Sequence, residues 1–239
     1  GGAFNCAARG VGLPDMTYAA TTGKSWFQVG ETVRYDFTGR LNAGVTTKDV
    51  FLHIANVFGD HINQNVEFGG PGLKHLSVNA RRTIATMGAE ISADFAIFEA
   101  DDVIVDYVRA RNPEPFEPAF PDADAVYAAR REIALDAIEP LVALPDAVLN
   151  NSVPVGQVVG QKIDQAFIGS CSNGTLDDFA IAAKVLAAMA EPSRRDERVH
   201  ERLQREVLAG GACEAGAHVH DDVESGEVAG AEGRASIGC

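Results

Sequence analysis

Polar and apolar residues alternate along 32–37, Thr-Val-Arg-Tyr-Asp-Phe, and the β-branched and aromatic side chains there predict a strand that stops at Thr38 and Gly39. A longer period follows. Val50, Phe51, Ile54, Val57 and Phe58 recur at helical spacing behind Thr46 and Thr47, so a helix is expected with these side chains on one face and Gly59 as its stop. Positions 65–72, Asn-Val-Glu-Phe-Gly-Gly-Pro-Gly, read as a short apolar strand entering a tight glycine–proline loop. A second helix is expected next, capped by Ser77 or Asn79 and carrying Ile84, Met87 and Ile91 on one side, before a short buried strand at 96–98.

The chain opens on Gly-Gly-Ala-Phe-Asn-Cys without a start methionine, which reads as an entry in mid-fold, and 1–30 reads as a loop followed by a short helical turn. Four prolines in 112–122 force an extended path, and a domain boundary is expected within 112–155. Further on, 162–168 reads as a strand, 169–174 (Gly-Ser-Cys-Ser-Asn-Gly) as a turn, and Thr175 with Asp178 as a capping box. The helix it opens places Phe179, Ala182, Ala183, Leu186 and Met189 on one face. Repeated strand–helix alternation of this kind predicts an α/β layered fold with a largely parallel sheet.

Composition narrows the function. Of 239 residues, 46% are hydrophobic and 23% charged, the profile of a globular protein. No apolar run approaches the roughly 18 residues of a membrane helix, and the opening residues lack the layout of a secretory signal, so the cytoplasm is the expected compartment. The net charge of −14 argues against nucleic acid and anionic membrane as partners, since both need a basic surface. Four cysteines, at 6, 171, 213 and 239, are too few for a disulfide framework and form no C-x-x-C, so they read as free thiols or isolated ligands. The last 60 residues hold no aromatic side chain, and from Glu191 onward acidic residues outnumber basic ones 11 to 6; 191–239 is therefore a different material from what precedes it.

Cys171 is expected at the carboxyl end of a strand and the mouth of a helix, where open α/β sheets place ligand sites and where unpaired N–H groups favour a thiolate. On position alone it reads equally as a small buried cysteine filling a turn. A nucleophile role lacks a neighbouring histidine base. The pair His218 and His220, with Asp221 and Asp222, has spacing for a metal but reads as a solvated polar run. The loop 69–72 can cradle an anion, though turn geometry accounts for it. Val199, Leu203, Val207 and Leu208 give 194–208 one apolar side, which reads as a packing helix or tail. Cys6 reads as structural.

The run Phe-Ile-Gly-Ser-Cys-Ser-Asn-Gly-Thr-Leu-Asp-Asp at 167–178 resembles the signature turn of the aconitase superfamily. Segments 48–59, 66–72 and 82–90 are similar, in order, to three further segments of that family, and 1–12 resembles the stretch that follows its Asp-Ser-His-Thr motif. Together they cover roughly 1–190 and are most similar to the large subunits of the isopropylmalate and homoaconitate branch. The resemblance implies aconitase-like α/β/α layers with mixed, largely parallel sheets. It implies a hydro-lyase that dehydrates and rehydrates a 2-hydroxy polycarboxylate, as in leucine biosynthesis, on a [4Fe-4S] cluster with one iron left open as a Lewis acid. Cys171 then matches the first cluster cysteine, Asn173 the asparagine beside it with Ser170 in the same turn, and Glu90 a glutamate that contacts the hydroxyl or water at the open iron. Without the family match, Glu90 reads as a solvated carboxylate at a helix end.

The departures shape the expectation. Thr86 stands where many members carry an asparagine, the family's downstream C-x-x-C is absent, and neither Cys213 nor Cys239 reproduces it. The family's Asp-Ser-His-Thr segment is expected immediately before Gly1 and is not within these 239 residues, nor is the swivelling domain, a separate small subunit in the isopropylmalate enzymes. The expected organisation is 1–30 as remnant of a preceding domain, 31–112 as a central α/β domain, 113–155 as a Pro-rich connection, 156–190 as the start of the cluster-binding domain, and 191–239 as a tail. The expected protein is an incomplete member, inactive alone, with the cluster incomplete or absent. Alternatives are a non-catalytic α/β binding or assembly protein and a cysteine-nucleophile enzyme.

Overall fold

The computed structural model describes residues 1–189, without the side chains at 188 and 189. The elements run α1 (Leu13–Thr22), β1 (Glu31–Thr38), α2 (Thr47–Phe58), β2 (Gln64–Gly69), α3 (Val78–Met87), β3 (Ala96–Phe98), α4 (Asp102–Arg109), β4 (Ala129–Ala134), β5 (Leu141–Ala143), β6 (Ser152–Pro154), α5 (Ser170–Asn173) and α6 (Leu176–Met189). Cys213, Cys239, the His218–Asp222 run, the amphipathic stretch 194–208 and the rest of 191–239 lie outside the described residues.

Four strands form a wholly parallel sheet in the order β3-β2-β1-β4, with α2 and α3 as the crossovers that parallel pairing requires. The protein is therefore α/β. Its register follows from alternation. Val33, Tyr35 and Phe37 of β1 stand beside Val66 and Phe68 of β2 and beside Arg131 and Ile133 of β4, and the apolar members of this set are buried. Phe37, Phe68 and Phe98 stack across three strands with ring centroids 5.6 and 4.7 Å apart, which makes one aromatic row the spine of the core. Arg34 and Asp36 face the other way.

The α2 face differs from the one its periodicity suggests. Val50, Phe51 and Ile54 are buried, but so are Leu52 and Ala55, whereas Val57 is 56% exposed. The cause is a second contact surface: the antiparallel β5–β6 pair packs against α2, so the buried face is wide and Val57 falls at its edge. Asp49 joins the two. One carboxylate oxygen accepts from the Thr46 amide (2.6 Å) and hydroxyl (2.8 Å) at the helix start, and the other accepts from the Leu141 amide at 2.8 Å.

The Pro-rich 112–122 segment contains no regular element and belongs to the connection that carries the chain from β3 and α4 to β4 at the opposite edge of the sheet. The strands from 129 to 154 all fall within the span 113–155, and β4 completes the sheet begun in 31–112. Glycines in 69–72 serve close approach. A side chain at Gly70, which has φ +89°, would put its Cβ 2.7 Å from the Phe37 backbone, and the Gly72 amide donates to the Phe37 carbonyl at 2.7 Å.

One expected strand does not form. Positions 162–168 form no regular element and bend at Asp164, and Phe167 is 83% exposed. A strand needs a neighbour to take its amides and carbonyls, and among the described residues none lies beside this segment.

Candidate functional site

Helix α3 is the platform. Ser77 caps it, its Oγ accepting from the Ala80 amide at 3.1 Å. Arg81, fully buried, clamps its first turns: Nε donates to the Leu76 carbonyl, Nη2 to the Leu73 carbonyl, and the guanidinium forks onto both Asp101 oxygens at 2.7 and 2.6 Å. Burial pushes the Asp101 carboxyl up, but the Arg81 bonds and the Ile104 amide outweigh it and hold Asp101 below the usual carboxylate range. At its other end α3 runs into a 3₁₀ turn, Gly88–Ile91, where Ile91 is buried and Glu90 exposed. Gly88 is needed there, since a Cβ would lie 2.6 Å from that of Ala96.

The Cys171 turn docks on the same helix. Thr83 Oγ1 donates to the Ser172 carbonyl at 2.7 Å, and Asn79 Nδ2 donates to Asp177 Oδ2 at 2.8 Å. Within the turn, Ser170 has φ +76°, a left-handed conformation that costs a non-glycine residue roughly 1–3 kcal/mol. The capping box expected at Thr175 forms: its amide and hydroxyl donate to Asp178 Oδ2 at 2.9 and 2.6 Å, while Asn173 Nδ2 donates to Asp178 Oδ1 at 3.1 Å. Asn173 Oδ1 is buried without a partner.

Two expectations for Cys171 are corrected. It is exposed, not a buried turn-filler, and it lies in the one-turn α5 rather than at a strand's end, because 162–168 pairs with nothing. The structure anchors the Cys171 turn and the Glu90 turn on one helix. Phe179, Ala182 and Ala183 of α6 are half-buried, whereas Leu186 is exposed.

The donor set falls short of a cluster. The described residues hold two free thiols, Cys6 and Cys171, and Cys6 is turned to the Phe4 carbonyl, to which its Sγ donates at 3.4 Å. No group of three or more His, Cys, Asp or Glu able to hold a metal occurs among the described residues. A three-thiolate [4Fe-4S] site is therefore not met by them. Nearby, an open cleft of about 670 Å³ is lined by Arg9, Arg82, Thr86 and Asp94 among others, with Arg9 and Asp94 ion-paired at 2.8 Å. Neither Glu90 nor Cys171 lines it.

Two buried polar clusters escaped the sequence reading. On the polar face of the sheet, Arg34 meets Asp36 (2.8 Å), Glu99 (2.5 Å) and Glu67, the last also accepting from the Tyr127 hydroxyl at 3.0 Å. Burial works against the Arg34 charge, yet the Asp36 and Glu99 bonds prevail and raise its pKa. On the core face, Arg131 donates to the Tyr35 hydroxyl (2.6 Å), which lies 2.8 Å from His61 Nε2. Arginine only donates, so Tyr35 keeps an acceptor for its own proton only if His61 is neutral with Nε2 bare. Burial and the Arg131 charge lower the His61 pKa, opposed by Asp60 and by a Gly59 carbonyl that faces the ring. Burial raises the Tyr35 pKa against the pull of Arg131. The alternation of 33–37 announces both faces, but the partners come from distant strands.

A parallel sheet with helical crossovers, one of which carries a docked cysteine turn and a terminal glutamate, defines a protein of the α/β class. The chain belongs to the aconitase family: the sequence model described as aconitase family (aconitate hydratase) matches residues 1–162. Over 186 residues it is 54% identical to the 3-isopropylmalate dehydratase large subunit of Mycolicibacterium smegmatis, covering 78% of this chain and 44% of that one. Over 205 residues it is 40% identical to a probable methanogen homoaconitase large subunit of Methanothermobacter thermautotrophicus, covering 85% and 46%. The 3-isopropylmalate dehydratase large subunit of Helicobacter hepaticus is 39% identical over 189 residues. The chain thus spans a little under half the length of these curated relatives. No helix among the described residues is long and apolar enough to cross a membrane.

Proposed function

We propose that this chain is the large-subunit portion of a hydro-lyase that isomerises a 2-hydroxy polycarboxylate of the 3-isopropylmalate or homoaconitate type by dehydration and rehydration, and that it is inactive alone. The observation that carries this reading is the 54% identity to a 3-isopropylmalate dehydratase large subunit over a stretch long enough to include both Glu90 and Cys171. Glu90, exposed at a helix end, is suited to exchange a proton with the substrate hydroxyl or with water. Cys171 offers a solvent-facing thiol as an iron ligand, and Ser170 and Asn173 shape its turn. In the family a [4Fe-4S] cluster supplies Lewis acidity, and Cys171 would be one of its three thiolate ligands. A small, swivel-domain subunit is the expected partner, and the cytoplasm the expected compartment.

The test is the appearance of the unsaturated acid, followed by ultraviolet absorbance after anaerobic treatment with iron and sulfide. The chain alone is expected to give no turnover on 3-isopropylmalate or homoisocitrate, with or without a cognate small subunit, until a chain supplying the remaining cluster ligands is added. Turnover by the chain alone overturns the inactivity. The single thiol at the described site also favours a second reading, a non-catalytic scaffold for binding or assembly, and turnover in any of these mixtures that depends on this chain excludes it.

A further inference from the structure

Three threonines of α1 spend their hydroxyls inside their own helix. Thr17, Thr21 and Thr22 donate to carbonyls four residues back at 2.9, 2.8 and 2.7 Å, the usual outlet for a helical threonine. Thr83 departs from this habit. Its side chain is buried, the residue only 4% exposed, and its hydroxyl reaches out of α3 to the carbonyl of Ser172, the residue next to Cys171. One helical turn earlier, on the same face, Asn79 makes the second bond, to Asp177 just beyond the turn. The turn thus held contains Ser170 in a left-handed conformation, and such a conformation persists only where the surroundings hold it. Among the described residues, the Thr83 bond is the side-chain tie from outside that falls nearest to it.

We propose that Thr83 is a positioning residue for the Cys171 thiol, acting through the Ser172 carbonyl. Glu90 follows Thr83 by seven residues, two helical turns, so α3 and its terminal turn set the place of both site residues from one rigid element. The inference rests on the reading of Cys171 as the functional thiol, but its physical content is independent of iron.

The test compares the 239-residue chain with its Thr83→Val and Thr83→Ser variants, without metal. Alkylation of Cys171 by iodoacetamide is followed on the peptide that contains it, and hydrogen exchange on the peptide spanning 169–175. Valine keeps the shape and removes the bond, so the freed turn is expected to exchange about fivefold faster, the weight of one ordinary hydrogen bond, with Cys171 alkylation rising alongside. Serine restores both rates, while exchange in β1 and α2 stays unchanged in either variant. Unchanged alkylation in Thr83→Val, or equal effects of valine and serine, overturns the proposal. Iron uptake that is identical in Cys171→Ser and wild type sinks the ligand reading alone and leaves the alkylation contrast standing.

Discussion

Arg34 and Gly69 stand on neighbouring strands, and the second exists for the first: a Cβ on Gly69 would lie 1.7 Å from Arg34 Nη2. Replacing Gly69 by alanine therefore displaces the guanidinium, and Arg34→Met leaves three carboxylates facing one another. Each change is expected to cost about 2–3 kcal/mol in urea unfolding, less than a fully buried pair because those carboxylates are partly exposed. In the double variant the costs do not add, since alanine then meets no guanidinium; additivity would show that the two residues act separately. Alternation along 33–37 tells that Arg34 and Asp36 share the face opposite Tyr35. It does not tell that Glu67 and Glu99 complete the cluster, because strand order decides that. His61 makes a pH prediction. Its folded pKa lies below the unfolded value, so the unfolded chain binds the extra proton first, and stability is full above about pH 6.5 and falls as the pH drops through the histidine range. Arg131, Asp60 and Tyr35 are the charged and titratable groups that face the ring. Half-buried His53 adds a slope of the same sign. The thermal midpoint is expected to fall between pH 7 and 5, and less steeply in His61→Phe measured against a His53→Gln background. An unchanged slope would remove His61 as its source.

At the scale of elements, the period of the apolar residues located β1, α2, β2, α3 and β3, because each of these buries one face against the same core. Where an element has two partners, the period is less informative. Val57 fits the helical spacing yet lies exposed, since β5 and β6 claim the flank of α2 that carries Leu52 and Ala55. The segment 162–168 shows the opposite failure. Ile163, Phe167 and Ile168 give it the apolar character of a buried strand, but a strand is a property of two segments, and no second one is present among the described residues. Asp49 tests the double role of α2. Asp49→Ala removes the N-terminal cap and the acceptor of the Leu141 amide together, so a loss of about 1–2 kcal/mol is expected, with faster exchange at the Leu141 amide than elsewhere in the sheet. Were Asp49 only a cap, exchange would quicken in the first turn of α2 and leave β5 untouched.

For the molecule as a whole, strand–helix alternation made the α/β class legible, whereas the pairing of β4 with β1 and the seating of the cysteine turn on α3 depend on contacts between residues some ninety positions apart. The candidate site divides along the same line. Cys171 and Glu90 are visible as motif residues; Thr83, which ties one of them to the helix bearing the other, is visible only in three dimensions. What these residues hold is a question of stoichiometry. A cubane cluster with one open iron needs three thiolates at one place, and the described residues bring one, on a turn exposed to solvent. Anaerobic reconstitution with iron and sulfide is therefore expected to give substoichiometric, labile iron, and Cys171→Ser is expected to lose most of it. A stable [4Fe-4S] spectrum at one cluster per chain would overturn this, and its persistence in Cys171→Ser would further show that the ligands lie outside the turn that α3 holds.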